Sequence, residues 1–256
     1  MMSPAIETLM LLFFGFFIIA TLYASVGFGG GSSYLALLSL FAFSFFFIRS
    51  NALICNLIVV SGSTYLFYKN GYFSFKEFLP FIITSVPMAF IGALFKLNEN
   101  VFFILLGVTL VCSSVSLFYQ ALHKTTAAIK VYPKYMSYVL GAGIGLLSGL
   151  VGIGGGIFLA PLLNHLNWGN PLKIAALAAF FILANSISGL AGLLVSGTLN
   201  ISWSTTIVLL LAVLLGGQLG VRFSLRKASP KAIRIGTAVL VMFVGLRILV
   251  LKGLLL

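Results

Sequence analysis

Between Glu7 and Arg49 the chain carries no Asp, Glu, Lys, Arg or His, and comparable apolar stretches recur to its end. Each is long enough to cross a bilayer, whose apolar core of about 30 Å takes roughly 20 helical residues. Only 7% of the 256 residues are charged and 61% are hydrophobic, too little polar surface to cover a water-soluble core. A mean hydropathy of +1.20 agrees. The expected fold is therefore all-α and polytopic, embedded in lipid. The 27 glycines scattered through the apolar stretches suit close helix packing, and the 25 phenylalanines suit a lipid-facing surface.

The apolar run beginning at Leu9 and followed by Tyr23-Ala24-Ser25 resembles a secretory leader, but Glu7 precedes it where a leader has basic residues. It is expected to be a membrane helix, and no polar stretch exceeds a loop. Cys55 and Cys112 lie inside apolar runs without metal-ligand spacing and are expected to be small buried hydrophobes. The formal charge of +12 resides mainly in short loops, which makes it a topology signal and not a nucleic-acid surface.

The chain repeats itself. Gly27-Phe28-Gly29-Gly30-Gly31 returns as Gly152-Ile153-Gly154-Gly155-Gly156 about 125 positions later, each copy preceded by valine, Val26 or Val151. Downstream, Arg49-Ser50-Asn51-Ala52-Leu53 corresponds to Lys173-Ile174-Ala175-Ala176-Leu177, and Gly71, Gly92 and Gly107 to Gly197, Gly220 and Gly236. Five landmarks in one order predict two related halves, 1–122 and 136–256, joined by a basic linker, 123–135, on the cytoplasmic side. Helices are expected over 8–26, 30–47, 51–68, 77–96 and 101–121, then 136–150, 154–168, 173–196, 203–222 and 232–251.

Loop charge decides whether GxGGG kinks a single span or turns the chain back. With eight plain spans the basic residues divide evenly between the two faces. With a turn at each motif, one face holds Lys69, Lys76, Lys124, Lys130, Lys134, Lys173, Arg222, Arg226, Lys227, Lys231 and Arg234, and the other only Arg49, Lys96, Arg247 and Lys252. The positive-inside rule favours the turns. Each half then crosses an odd number of times, so the halves are inverted and both termini lie outside. Each half is expected to hold a glycine-rich broken or re-entrant hairpin plus three further transmembrane helices, as in many secondary transporters. The 8–47 stretch has room for two nearly full spans, whereas 136–168 fits a re-entrant hairpin better.

Irregular backbone at membrane depth must be covered by protein or line a polar cavity. The helix leaving each turn, near Ser32 or Ile157, presents free amides and a positive dipole end, which suits a small anion. The candidate substrate-binding residues are therefore Gly27, Phe28, Gly29, Gly30, Gly31 and Ser32 with Gly152, Ile153, Gly154, Gly155 and Gly156, supplemented by Asn51 and Asn56 and by Asn185 and Ser186 on the corresponding helices. Arg49 and Lys173, at the starts of those helices, are candidate vestibule charges that draw an anion in. Gln218 is a further candidate for the interior, Trp168 and Trp203 suit interface anchoring, and His123 and His165 fall at segment ends. No Lys-Ser/Thr follows either glycine motif and no HExxH or GxSG is present, so no nucleotide, cofactor, metal or catalysis is expected. The chain has no Asp, and Glu7, Glu77 and Glu99 fall near segment ends, which disfavours a carboxylate proton relay.

Two G-x-G-G-G copies at this spacing, in a Gly- and Phe-rich chain of this size, resemble the TauE/SafE sulfite exporter family, also called the 4-toluene sulfonate uptake permease family. The resemblance covers nearly the whole chain. It implies two homologous membrane halves, a multi-pass protein of a bacterial-type inner membrane, and outward movement of sulfite or organosulfonates, with protons as a coupling partner. The family's motif carries over to the glycines of 27–31 and 152–156, and its basic-then-small pattern to Arg49–Ala52 and Lys173–Ala176. Ile174–Ala176 lack the polar residue that Asn51 supplies, which argues against a strictly symmetric site.

Three readings stay open: a transporter of a small sulfur-containing anion, alternating access around the paired turns; an uncoupled anion channel; and a scaffold whose glycines only pack helices. The topology is testable by itself. In a background lacking Cys55 and Cys112, cysteines placed at Ser3 and Leu256 are expected to react with an impermeant thiol reagent from outside the cell. Labelling of both from the cytoplasm would remove the inverted arrangement.

Overall fold

The computed structural model describes residues 6–25, 27–41, 43–95, 97–122, 129–225 and 230–250. Val26, Lys96, His123, Lys124, Arg226, Lys227 and Lys252, both chain ends and the first part of the linker lie outside the described residues. The described chain is all-helical: α1 (Ile6–Ala24), α2 (Gly31–Leu40), α3 (Phe45–Lys69), α4 (Phe75–Leu94), α5 (Glu99–Leu122), α6 (Lys134–Val151), α7 (Gly156–His165), α8 (Pro171–Val195), α9 (Trp203–Leu225) and α10 (Pro230–Ile248). Among the described residues, seven helices are long and apolar enough to cross a membrane.

The repeat is visible in this order. α2 and α7 have 10 residues each, and α3 and α8 have 25 each. Just past the ends of α3 and α8, Gly71 and Gly197 adopt left-handed backbone. The helix contacts obey the same exchange. α4 packs along α6 as α9 packs along α1, while α3 pairs with α8 and α5 with α10.

α3 and α8 form the centre. Two-thirds of each is buried (67%), against 33% or less for α1, α4 and α6. They run in opposite directions. Ser50, early in α3, accepts a hydrogen bond from the backbone N–H of Asn200 beyond the end of α8 (3.0 Å), and Leu53 lies against Gly189 near the end of α8. Outward-facing Phe14, Ile18, Ile83, Leu211 and Phe243 present an apolar surface to lipid.

Lipid offers apolar side chains little reason to cluster, so these helices associate where their backbones approach closely. Gly141, Gly145 and Gly149 recur every fourth residue on one face of α6, and each lies against a carbonyl of α4, those of Phe81, Ser85 and Ala89. Gly216 and Gly220 of α9 lie in the same way against the carbonyls of Phe17 and Thr21 of α1. Gly92 of α4 meets the Leu146 carbonyl, so the paired landmarks Gly92 and Gly220 serve equivalent helix contacts.

Two expectations need correction. The helix expected over 30–47 is the ten-residue α2, about 15 Å long, and α3 begins at Phe45, not at 51. The 8–47 stretch therefore does not make two nearly full spans, and the second arm is short in both halves. Residues 41–44 are uninterrupted in apolar character apart from Ser44, which hid the corner. Secondly, α3 and α8 align with Phe45 opposite Pro171, which makes Arg49 equivalent to Ala175 and not to Lys173. Contacts agree: Gly27 lies on Ala175 as Gly152 lies on Arg49.

A side chain added on the α6 stripe must push α4 away. Gly149→Val is expected to destabilise by about 1–3 kcal/mol, seen as a lowered unfolding temperature in detergent. Gly143→Val, where a Cβ meets nothing within 4 Å, is expected to leave it unchanged.

Candidate functional site

Both glycine motifs are wholly buried turns. Gly30 and Gly155 are the N-caps of α2 and α7, at φ +89° and +83°. That left-handed backbone disfavours any residue with a Cβ by about 1–2 kcal/mol. Neither cap supplies a side-chain acceptor, so the first amides of both short helices have no side-chain partner from their caps and carry the positive dipole end.

The turns reach the middle of the central pair. Gly29 packs against Asn56 and Val60 on α3, and Gly154 against Ile182 and Ser186 on α8. Asn56 and Ile182 are each twelfth in their 25-residue helices. The two turns also meet each other through Asn56, whose Nδ2 donates to the Ile153 carbonyl at 2.9 Å. Asn56 Nδ2 lies 3.1 Å from where a Cβ on Gly154 would stand, and the Ile153 carbonyl lies 2.9 Å from one on Gly31. Gly29, Gly31, Ile153, Gly154, Asn56 and Ser186 thus share one neighbourhood.

Several buried polar atoms on these elements have no protein partner: Asn56 Oδ1, both side-chain polar atoms of Asn185, Ser186 Oγ, Ser148 Oγ and Tyr34 OH. An unsatisfied buried group typically costs about 1–3 kcal/mol. These atoms are concentrated beside the two amide-bearing helix ends. Their arrangement is asymmetric, because the positions matching Asn56 and Ser186 are Ile182 and Val60.

Arg49 stands under the second turn. It is 1% exposed, donates from Nη2 to the Gly149 carbonyl at 2.8 Å, and its guanidinium carbon lies 5.4 Å from the Phe45 ring centroid. Its Nε has no partner, and its side chain runs past Gly152, where an added Cβ would lie 3.4 Å from its Cγ. Among the described residues the one ion pair is Lys173–Glu77, and none of their carboxylates pairs with Arg49. Arg49 is therefore a buried cation and not a vestibule charge. Lys173 is part-exposed at the start of α8, bound to Glu77 at 2.6 Å.

Other candidates separate. Asn51 is locked at a helix contact, accepting from Thr206 Oγ1 at 2.6 Å and donating to the Phe47 carbonyl at 2.9 Å. Ser32 Oγ donates to Tyr23 OH at 3.4 Å, and Tyr23 OH shares a 2.6 Å hydrogen bond with Ser33 Oγ. Gln218 lies against Gly62 of α3. Trp203 and His165 are exposed, Cys55 is buried and Cys112 exposed. Tyr23, Ser33, Tyr34 and Ser148 escaped the sequence reading. A tyrosine hydroxyl in an apolar run needs a partner when buried, and that signal was available for Tyr23 and Tyr34.

Lys173 shares one end of the bundle with Lys76, Lys130 and Lys134, around a single cavity. An unbroken span through the second motif would put Lys173 on the opposite face from those three.

The Gly29–Asn56 contact makes a specific prediction. Gly29→Ala is expected to destabilise by about 1–3 kcal/mol, because the new methyl collides with the Asn56 amide. In an Asn56→Ser background the same change is expected to cost much less. A double-mutant cycle on thermal unfolding measures that coupling.

The profile of the family described as Sulfite exporter TauE/SafE matches residues 11–248. A "Probable membrane transporter protein y4hK" of Sinorhizobium fredii (strain NBRC 101917 / NGR234) is 36% identical over 240 residues, covering 91% of this chain and 95% of the relative. A "Probable membrane transporter protein YunE" of Bacillus subtilis (strain 168) is 28% identical over 215 residues, covering 75% and 77%. No solved structure matches the chain.

Proposed function

The chain belongs to the sulfite exporter TauE/SafE family, and from that premise we propose that it exports a small sulfur-containing anion, sulfite or an organosulfonate, by alternating access around the paired glycine turns. It is a multi-pass membrane transporter of that family. The observation that carries the anion reading is Arg49. A cation inside a membrane bundle costs about 3 kcal/mol even on the lenient insertion scale, and among the described residues no carboxylate pairs with it. An anion beside Gly152 supplies the missing counter-charge. The amides opening α2 and α7 and the amide groups of Asn56 and Asn185 supply hydrogen bonds.

Alternating access follows from an inverted repeat. The opposite courses of α3 and α8 and the exchange of α4–α6 for α9–α1 favour a two-fold axis crossing the bundle at the turns. Rocking one half against the other then opens the same site to either face. Both termini are proposed to lie outside. Proton linkage fits a chain with no buried carboxylate relay, because sulfite itself changes protonation near neutral pH and can carry the proton.

Reconstituted protein is expected to move sulfite faster under an imposed pH gradient, with saturable counterflow. Arg49→Gln is expected to cut the flux at least about tenfold, the loss matching one buried ionic contact, while Arg49→Lys retains part of it. Flux indifferent to the gradient removes proton coupling, and flux indifferent to Arg49→Gln removes this site.

A further inference from the structure

A polar cavity lies away from the turns, where α4, α6 and α8 begin. It holds about 340 Å³ and is lined by Lys76, Lys130, Lys134 and Lys173 with a single carboxylate, Glu77. Glu77 is already bound to Lys173. The charge of the other three lysines is therefore uncompensated by any acid lining the cavity. α4 and α6 open onto it through N-caps, Ser74 and Pro133, that provide no side-chain hydrogen bond to the helix, which adds positive potential. The wall is held in place: Lys130 N–H donates to the Asn167 carbonyl at 3.0 Å, and Tyr132 OH to the Leu166 carbonyl at 2.8 Å.

The floor argues against an entry route to the turns. Trp168, which lines the cavity and lies 5.5 Å under the Lys173 ammonium, packs on the buried rings of Phe81 at 5.6 Å and Phe78 at 6.5 Å. Phe73 continues that cluster to Phe180 at 5.1 Å. The cavity ends on aromatic rings. Its rim is apolar where a watery vestibule has no use for it: Val131 is 97% exposed and Ile129 62%. Cations around a pocket, an aromatic base and an apolar rim at the end of a membrane bundle match a lipid headgroup with its chains leaving along the rim.

We infer that this cavity binds the headgroup phosphate of an anionic phospholipid, with Lys76, Lys130 and Lys134 as its contacts and Trp168 beneath it. A lipid whose phosphate is balanced by its own ammonium gains little from three lysines, so binding discriminates by headgroup charge. The site is independent of the transport reading, since it rests on other residues and is measured without flux.

Native mass spectrometry of the full chain in detergent, titrated with phosphatidylglycerol or phosphatidylcholine, tests it. Phosphatidylglycerol is expected to bind preferentially. Lys130→Gln with Lys134→Gln, both exposed and outside the packed core, is expected to weaken it roughly thirtyfold, the effect of removing two juxtamembrane cations. The charge-matched control, Lys69→Gln with Arg222→Gln, lies at the same end of the bundle but outside the cavity and is expected to leave binding unchanged. Equal loss in the control means diffuse attraction and overturns the site. So does equal binding of the two lipids. Displacement of phosphatidylglycerol by millimolar inorganic phosphate assigns the cavity to a free anion instead and also overturns the lipid reading.

Discussion

Non-helical backbone in the middle of a membrane bundle has no water to turn to, so protein must surround it on every side. This chain breaks its helices at that depth twice, and much of the rest answers to those breaks. α3 and α8 run past the turns and cover them, which is why these two are the most buried helices. Asn56 then ties the second turn to the first half through the Ile153 carbonyl. A turn held in this way keeps its amide-bearing helix end buried in the bundle, and the proposed anion site rests on that placement.

The glycine rows serve a different purpose from the glycine turns. Gly141, Gly145 and Gly149 contribute no unusual backbone; they let α6 lie directly on the carbonyls of α4. Such seams are backbone on backbone and have no long side chains to rearrange. A half that rocks as one body needs both features, a compact seam beside the site and a polar, incompletely satisfied site between the halves. The unpaired Ser186 and Asn185 groups fit that division, since a fully hydrogen-bonded centre would have nothing left to offer a substrate.

Much of the architecture was legible in the residues. Hydropathy marked the helices, GFGGG and GIGGG marked the breaks, and the lysine distribution indicated that the chain turns back there. The site was legible only in outline. Asn56 and Ser186 were named for being polar in apolar helices, which is also why Asn51 was named, yet Asn51 faces Thr206 across a helix contact. Pattern alone cannot separate a polar group that packs from one that waits for a ligand, because both obey the same need for a buried partner.

Arg49 shows where the boundary falls. By itself the sequence determined that this is a helical membrane protein in two related halves with a glycine break in each, because lipid allows few backbone solutions and the repeat is written in consecutive residues. It also determined that Arg49 and Lys173 each stand near the start of a long helix. Only the tertiary structure decided that one is buried under a glycine turn, with no ion pair among the described residues, while the other sits at the surface on Glu77. The difference is a two-residue shift between α3 and α8 and the packing of Gly152, and such register comes from helix-to-helix contact, which no local pattern encodes.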